Sequence, residues 1–222
     1  MNLEESKYTV NCHSCIPPEK DANRMVLRTE FCIGVLRTDQ HGARGWLGRS
    51  VYYVIGHLNP EEALIIAGDR MRCEMIHFMA CERLLGATRG NYAEAGNKNI
   101  DEEGKPTSEP LYHHPHRHVL PRYQNVVEWR GKKFVDHTFF EPMELNPKPS
   151  EKEKILNEEN EVNIPLIPEE IALLKSDIQK EFVRMIFDEK VSKIFRPKWE
   201  EIAIAYPSEE VSELYISLLN AK

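Results

Sequence analysis

Apolar and polar positions recur with a strand period through much of the first 140 residues. Runs at residues 24–29, 31–36 and 46–55 are short, alternate between the two kinds of side chain, and contain β-branched and aromatic residues. These features are typical of β-strands. A further strand is predicted at residues 90–97, and a hairpin around Gly131 is predicted at residues 126–135.

One segment instead has a helical period. Asn59 can cap a helix, Pro60 suits the first helical position, and Gly86 suits its end. The helix should therefore run to about Leu85. An apolar stripe on it is formed by Leu64, Met71, Met75, Phe78 and Leu85, and His77, Cys73 and Cys81 beside it are expected to be packing residues.

The pattern changes after residue 140. Five prolines bracket a charged run at residues 151–161, which predicts a solvated linker with one short helix. Two amphipathic helices then follow, with apolar positions at residues 171–185 and 211–218. They need an apolar surface to cover, on the first part of the chain or on a partner. The predicted organisation is therefore a domain at residues 1–148, a linker at 149–168 and a helical extension at 169–222.

Composition and charge narrow the class of protein. The 222 residues are 41% hydrophobic, and no apolar run approaches the roughly 18 residues of a membrane helix. The first residues lack the basic and apolar regions of a signal peptide, so no membrane and a cytoplasmic location are expected. A net charge of −7 disfavours long nucleic acid as a partner, whereas a local cluster of donors could still hold a small anion.

Five cysteines in a chain with no secretion signal are expected to be reduced thiols. Cys12 and Cys15 have the spacing of a zinc-binding or redox pair. Two ordinary thiols in an N-terminal loop would show the same spacing, and zinc would need two further ligands from elsewhere.

The most unusual stretch is rich in histidine. His114, His116 and His118 alternate along a predicted strand, so their imidazoles should share one face of a sheet until the strand ends at Pro121. Three interpretations compete. They are a zinc site, for which a span of roughly 13 Å is wide, a histidine-rich surface, and nucleophilic catalysis on a phosphate, with a second imidazole donating a proton.

Residues 114–123 (His-Pro-His-Arg-His-Val-Leu-Pro-Arg-Tyr) resemble the signature of the histidine triad family. Upstream features occur in the matching order: the Gly45-led strand, the Asn-Pro-Glu-Glu helix start, and a Gly96-Asn97 turn. The resemblance covers roughly residues 10–140. It implies an α+β fold with a central antiparallel sheet of about five strands and a long helix, here followed by a helical C-terminal extension.

The resemblance also implies a function. Members bind nucleotides and cleave at the α-phosphate of nucleoside phosphoramidates or dinucleoside polyphosphates, and many are homodimers. By position, His116 would be the nucleophile that forms a nucleotidyl-histidine. His118 would contact the phosphate and assist the leaving group, and His114 would orient His116. The expected partners are therefore a nucleotide or nucleotide conjugate and a second copy of the chain.

Further residues follow from the same resemblance. Asn97 would bind phosphate. Arg117 departs from the family pattern and is expected to meet solvent, an acidic partner or a phosphate, so it is a second candidate for phosphate binding. Cys12 and Cys15 match a pair that carries structural zinc in some members, for which His57 is a candidate further ligand and His114 another. Zinc is thus a candidate structural cofactor, and the chemistry requires none.

The chain also departs from the family pattern. Pro115 and Arg117 replace apolar residues, Arg37 stands where an acidic residue often binds the ribose, and residues 98–110 form an insertion. His114-Pro115-His116 also resembles the galactose-1-phosphate uridylyltransferase pattern, with the nucleophile again at His116. Nucleotidyl transfer and a nucleotide-binding scaffold with reduced or lost catalysis are therefore alternatives to hydrolysis.

Overall fold

A computed structural model describes residues 22–29, 31–38, 40, 47–54, 60–94, 116–140, 150–191 and 203–221. The strands are β1 (Met25–Arg28), β2 (Cys32–Leu36), β3 (Ser50–Val54), β4 (Arg89–Glu94), β5 (His116–Arg122), β6 (Val127–Trp129), β7 (Lys132–Phe134) and β8 (Ala203–Ile204). The helices are α1 (Pro60–Leu85), α2 (Glu151–Glu159), α3 (Pro168–Phe187) and α4 (Glu209–Asn220).

The central sheet has the order β4-β5-β3-β2-β1-β8, and every neighbouring pair in it is antiparallel. The predicted α+β class, with a five-strand antiparallel sheet and a long helix, is therefore confirmed. The sixth strand, β8, has only two residues and was not predicted, because so short a pairing leaves no period in the sequence. The predicted hairpin is also present, as β6 and β7 form a separate two-stranded sheet.

Helix α1 spans the predicted residues but buries only part of the predicted stripe. It ends where Gly86 takes a φ of +71° and donates its N–H to the Glu82 carbonyl. Met71 and Met75 of the predicted stripe are exposed. Leu85 of that stripe is buried, and the other buried positions include Cys73, Glu74, Ile76, His77, Ala80 and Cys81. The apolar pattern failed because two polar residues, Glu74 and His77, are buried with hydrogen-bonding or ionic partners, as buried polar groups require.

Helix α3 packs on the first part of the chain. Leu174, Ile178 and Phe182 belong to the same hydrophobic core as Tyr52 and Ile76. The Gln179 side chain lies beside them and donates to the carbonyls of Val26 and Ala205, at 2.9 and 2.7 Å. The core therefore continues from the sheet into the predicted extension. The boundaries at residues 148 and 168 stay a prediction.

Strand β5 continues through Pro121 rather than ending there, so that prediction was wrong. Pro121 lies opposite Gly90 of β4, and the carbonyl of Arg122 still accepts from Thr88 N at 3.0 Å. Pairing with β3 has already stopped at Val119. Backbone groups of successive residues point to opposite sides of a strand, so the missing amide of Pro121 faces the side where no β3 partner remains.

None of the helices in the described part of the chain is both long and apolar enough to cross a membrane.

Candidate functional site

His116 and His118 lie side by side on one face of β5. Their ring centroids are 5.3 Å apart and the rings are nearly perpendicular, at 76°. Both side chains are half-buried. The shared face predicted from the strand period is therefore present for these two imidazoles.

The two imidazoles lie on the face of the sheet that points away from α1. Tyr52 of β3 points toward the helix, where its ring contacts that of His77 edge to face at 5.8 Å. Its neighbours in β3 point the other way. In the register, Val51 is paired with His118 and Tyr53 with His116, so these four side chains line the same side of the sheet.

The ring of Tyr53 contacts the ring of His116. The two rings are stacked, with centroids 5.7 Å apart and planes inclined by 26°. Offset stacking of this kind favours one orientation of the imidazole. His116 is thereby bounded by an aromatic face on one side and by the edge of His118 on another.

Arg49, directly before β3, supports His118. Its guanidinium nitrogen lies 3.5 Å from Nδ1 of His118, and the whole Arg49 side chain is buried. A guanidinium can only donate, so Nδ1 must be the acceptor in this long contact. The neutral imidazole then carries its proton on Nε2, and His118 can present an N–H donor from that atom.

Arg117 lies on the opposite face of β5, toward α1. It donates to Glu74 of α1 at 3.1 Å, and Glu74 also forms an ion pair with Arg70 at 3.3 Å. The carboxylate is almost completely buried between the two guanidinium groups. This contact gives Arg117 a structural partner away from the imidazoles, and its phosphate-binding role stays a prediction.

The Pro-Arg-Tyr end of the motif has structural contacts. Buried Arg122 forms two hydrogen bonds with Asp136, at 2.5 and 3.1 Å, and also donates to the Thr138 carbonyl. Tyr123 donates its hydroxyl to the Leu47 carbonyl at 2.7 Å. These contacts connect the end of β5 to residues 136–138 and to Leu47.

Hydrogen bonds from two other parts of the chain fix the backbone of the turn before Arg49. His77 donates from Nε2 to the Gly48 carbonyl at 2.7 Å, and the Gly48 N–H donates to the Gln40 side chain at the same distance. Gly48 has a φ of +75°, and a Cβ there would approach Cys81 Sγ to 2.8 Å, so both backbone and space favour glycine. Burial lowers the pKa of His77 from 6.5 to about 4, opposed by its hydrogen bond to Gly48. His77 is therefore a neutral structural donor at neutral pH, in line with its predicted packing role.

Several predicted site residues lie outside the described part of the chain. They are His114, Asn97, Cys12, Cys15 and His57. Within the described part, no group of three or more His, Cys, Asp or Glu side chains is arranged to hold a metal ion. The zinc site at Cys12, Cys15 and His57 stays a prediction.

Two site residues, Arg49 and Tyr53, were not predicted. The sequence does contain a signal for them, since Arg49, Val51 and Tyr53 alternate and so share one face. What places that face beside the histidines is the pairing of β3 with β5, which lie more than sixty residues apart in the chain.

Comparison with known proteins supports the fold and leaves the family open. No protein-family model matches the chain. Nor does any curated protein. Among solved structures, the crystal structure of the uncharacterized protein LPG0439 is similar with a TM-score of 0.51 and 11% identity, over 88% of this chain and 93% of that one. A weaker similarity is to a hypothetical histidine triad nucleotide-binding protein, ST2152, from Sulfolobus tokodaii strain 7, with a TM-score of 0.44 and 10% identity, over 79% and 94% of the two chains. The chain therefore shares its overall fold with LPG0439.

Proposed function

We propose that this protein is a nucleotide hydrolase of the histidine triad type. It would cleave at the α-phosphate of a nucleoside phosphoramidate or a dinucleoside polyphosphate through a nucleotidyl-His116 intermediate. The observation that carries this proposal is the pair of adjacent imidazoles on β5, one stacked on Tyr53 and the other contacted by buried Arg49. The resemblance of residues 114–123 to the family signature supports the same assignment.

The two imidazoles suit two different steps. A neutral nitrogen of His116 attacks the α-phosphorus, a P–N bond forms, and the bond to the leaving group breaks. The Nε2–H of His118 lies on the same face and can donate a hydrogen bond to the departing atom, and a departing amine takes up its proton from solvent. Water then attacks the phosphorus of the nucleotidyl-histidine and loses a proton to solvent. The P–N bond breaks, the nucleoside monophosphate is released, and the nitrogen lone pair returns to His116.

A comparison of two histidine variants tests the assignment. We expect His116→Ala to lower turnover of adenosine 5′-phosphoramidate or diadenosine polyphosphate by more than about 1,000-fold, because the nucleophile is lost. His137→Ala is the matched control, since His137 is exposed and bonds Asn157 rather than the site. Circular dichroism of both variants should match the unmodified protein.

The outcomes of these assays distinguish hydrolysis from nucleotide binding alone and from nucleotidyl transfer. Full activity of His116→Ala would contradict the proposal. Tight nucleotide binding with no turnover of any of these substrates would point to a binding protein. Formation of the nucleotidyl adduct, followed by its discharge only to an added acceptor, would point to a transferase.

We also propose that the protein acts as a homodimer. Strand β4 is at one edge of the described sheet, and Tyr92 on it donates to Sδ of Met75 at 3.7 Å. Tyr92, Met75 and Met71 are exposed, so an apolar surface adjoins this sheet edge. Light scattering should give the mass of two chains for the unmodified protein and of one chain for Met75→Lys.

A further inference from the structure

A polar cleft lies next to the histidines, on the same face of the sheet. Its volume is about 210 Å³, and it is bounded by the side chains of Val35 and Val51. Tyr53 also lines it, and the ring of this residue is the one stacked on His116. The cleft and the imidazoles therefore share a wall, so one ligand can occupy both.

The charged side chains that the described residues contribute to this cleft are cationic. Arg24 and Arg37 line it, together with the hydroxyl-bearing Thr38, and no acidic side chain is among the described residues that do so. Arg24 donates to the Leu36 carbonyl at 2.9 Å, which fixes the position of its guanidinium at the rim. Guanidinium groups bind phosphate and carboxylate through paired N–H donors, so the cleft suits an anion.

The spacing relates this anion to the reacting phosphate. Arg37 follows β2, and His116 lies on β5, with β3 between them. Adjacent strands are about 4.8 Å apart, and Arg37 lies four residues along the chain from Ile33, the β2 residue in register with Tyr53 and His116. About 16 Å therefore separates the Cα atoms of Arg37 and His116. Arg37 and Tyr53 line the same cleft, so the Arg37 side chain covers part of that distance. A nucleoside unit bearing a phosphate at each end can span the remainder.

We propose that this cleft binds a second phosphate group, carried on the ribose of the nucleotide whose α-phosphate reacts at His116. This inference rests on the proposed function and narrows its substrate to nucleotides phosphorylated at the 2′ or 3′ oxygen. Arg37 and Arg24 bind the added phosphate, and Tyr53 lies between the two phosphate positions.

Calorimetric titration of the full chain tests this preference. The probes are adenosine 5′-monophosphate, adenosine 2′,5′-bisphosphate and adenosine 3′,5′-bisphosphate, with the matching guanosine compounds as a second base. We expect one bisphosphate to bind at least about 10-fold more tightly than the monophosphate, with the difference shrinking as salt is added.

Variants assign the preference to the cleft. Arg37→Ala should bring bisphosphate affinity close to that of the monophosphate, while Arg37→Lys should keep part of the difference. Arg28→Ala is the matched control, because Arg28 is an exposed arginine of β1 that does not line the cleft. Arg24→Ala is included with a check of thermal unfolding, since Arg24 also bonds Leu36.

Failure of this inference is distinct from failure of the proposed function. Equal affinity for monophosphate and bisphosphates, with His116-dependent turnover intact, would overturn the second phosphate site alone. A preference that survives Arg37→Ala and Arg24→Ala would also overturn it. Absence of binding by every nucleotide would overturn both proposals.

Discussion

A guanidinium nitrogen of buried Arg49 lies 3.5 Å from Nδ1 of His118. Arg49 directly precedes β3, the strand that pairs with β5. The contact requires His118 to accept at Nδ1, so it selects the tautomer with a proton on Nε2. Arg49 is thus a positioning residue in the proposed mechanism, acting on the reaction through the imidazole.

Arg49→Met should lower kcat by about 10- to 100-fold while leaving KM within a factor of about 2, since a misoriented proton donor weakens the transition state more than substrate binding. Arg49→Lys should recover part of the loss, because it retains a donor and a positive charge. Nitrogen-15 NMR of the histidine side chains should show His118 leaving the Nε2–H tautomer in Arg49→Met alone. A loss confined to KM would contradict the positioning role.

His77 should make the fold sensitive to acid. Burial lowers the pKa of His77 from 6.5 to about 4 in the folded protein. Between these values the unfolded chain binds the proton and the folded chain does not, so stability is fully present above 6.5 and declines as the pH falls toward 4. The difference corresponds to about 3 kcal/mol lost once both states are protonated.

Urea unfolding of the unmodified protein and of His77→Gln, at about pH 7 and about pH 4.5, measures this contribution. Glutamine retains an N–H donor for the Gly48 carbonyl but does not titrate. The unmodified protein should therefore lose more free energy of unfolding on acidification than the variant. Equal losses in the two proteins would show that His77 does not titrate as described.

The Arg122–Asp136 pair should be important for stability. Both side chains are almost completely buried, so removing one charge leaves the other without compensation. We expect Asp136→Asn to lower the free energy of unfolding by about 3–5 kcal/mol. Asp177→Asn, which breaks the pair with the more exposed Arg130 but retains an acceptor for Nε1 of Trp129, should cost about 1 kcal/mol or less. Similar costs for the two variants in chemical denaturation would contradict the importance of burial.

Helix α3 should be part of the cooperative folding unit. Phe182 is buried in the core shared with the sheet, so Phe182→Ala should cost about 3–5 kcal/mol. Leu173→Ala lies on the exposed side of the same helix and should change stability by only about 0.5 kcal/mol. If the sheet unfolds at the same denaturant concentration in the unmodified protein and in Phe182→Ala, then α3 folds independently of the sheet.

The features predicted from sequence are those determined by local chemistry. Pro60 and Gly86 define the limits of α1, and the alternation of His116 and His118 puts both rings on one face. The proximity of Arg49 and Tyr53 to these rings depends on strand register, which is set by long-range pairing and cannot be derived from either segment alone. The buried face of α1 was mispredicted for a related reason, since the carboxylate of Glu74 is buried against Arg117 of β5 as well as against Arg70 of its own helix.

The ring of Phe182 lies 6.3 Å from that of His77, centroid to centroid. His77 in turn bonds Gly48, the residue before Arg49, and Arg49 contacts His118. A continuous path of contacts therefore joins α3 to the proposed hydrogen-bond donor, His118. Thermodynamic linkage along such a path is reciprocal, so a ligand that orders His118 should also slow hydrogen exchange in α3, and a partner that binds α3 should alter ligand affinity.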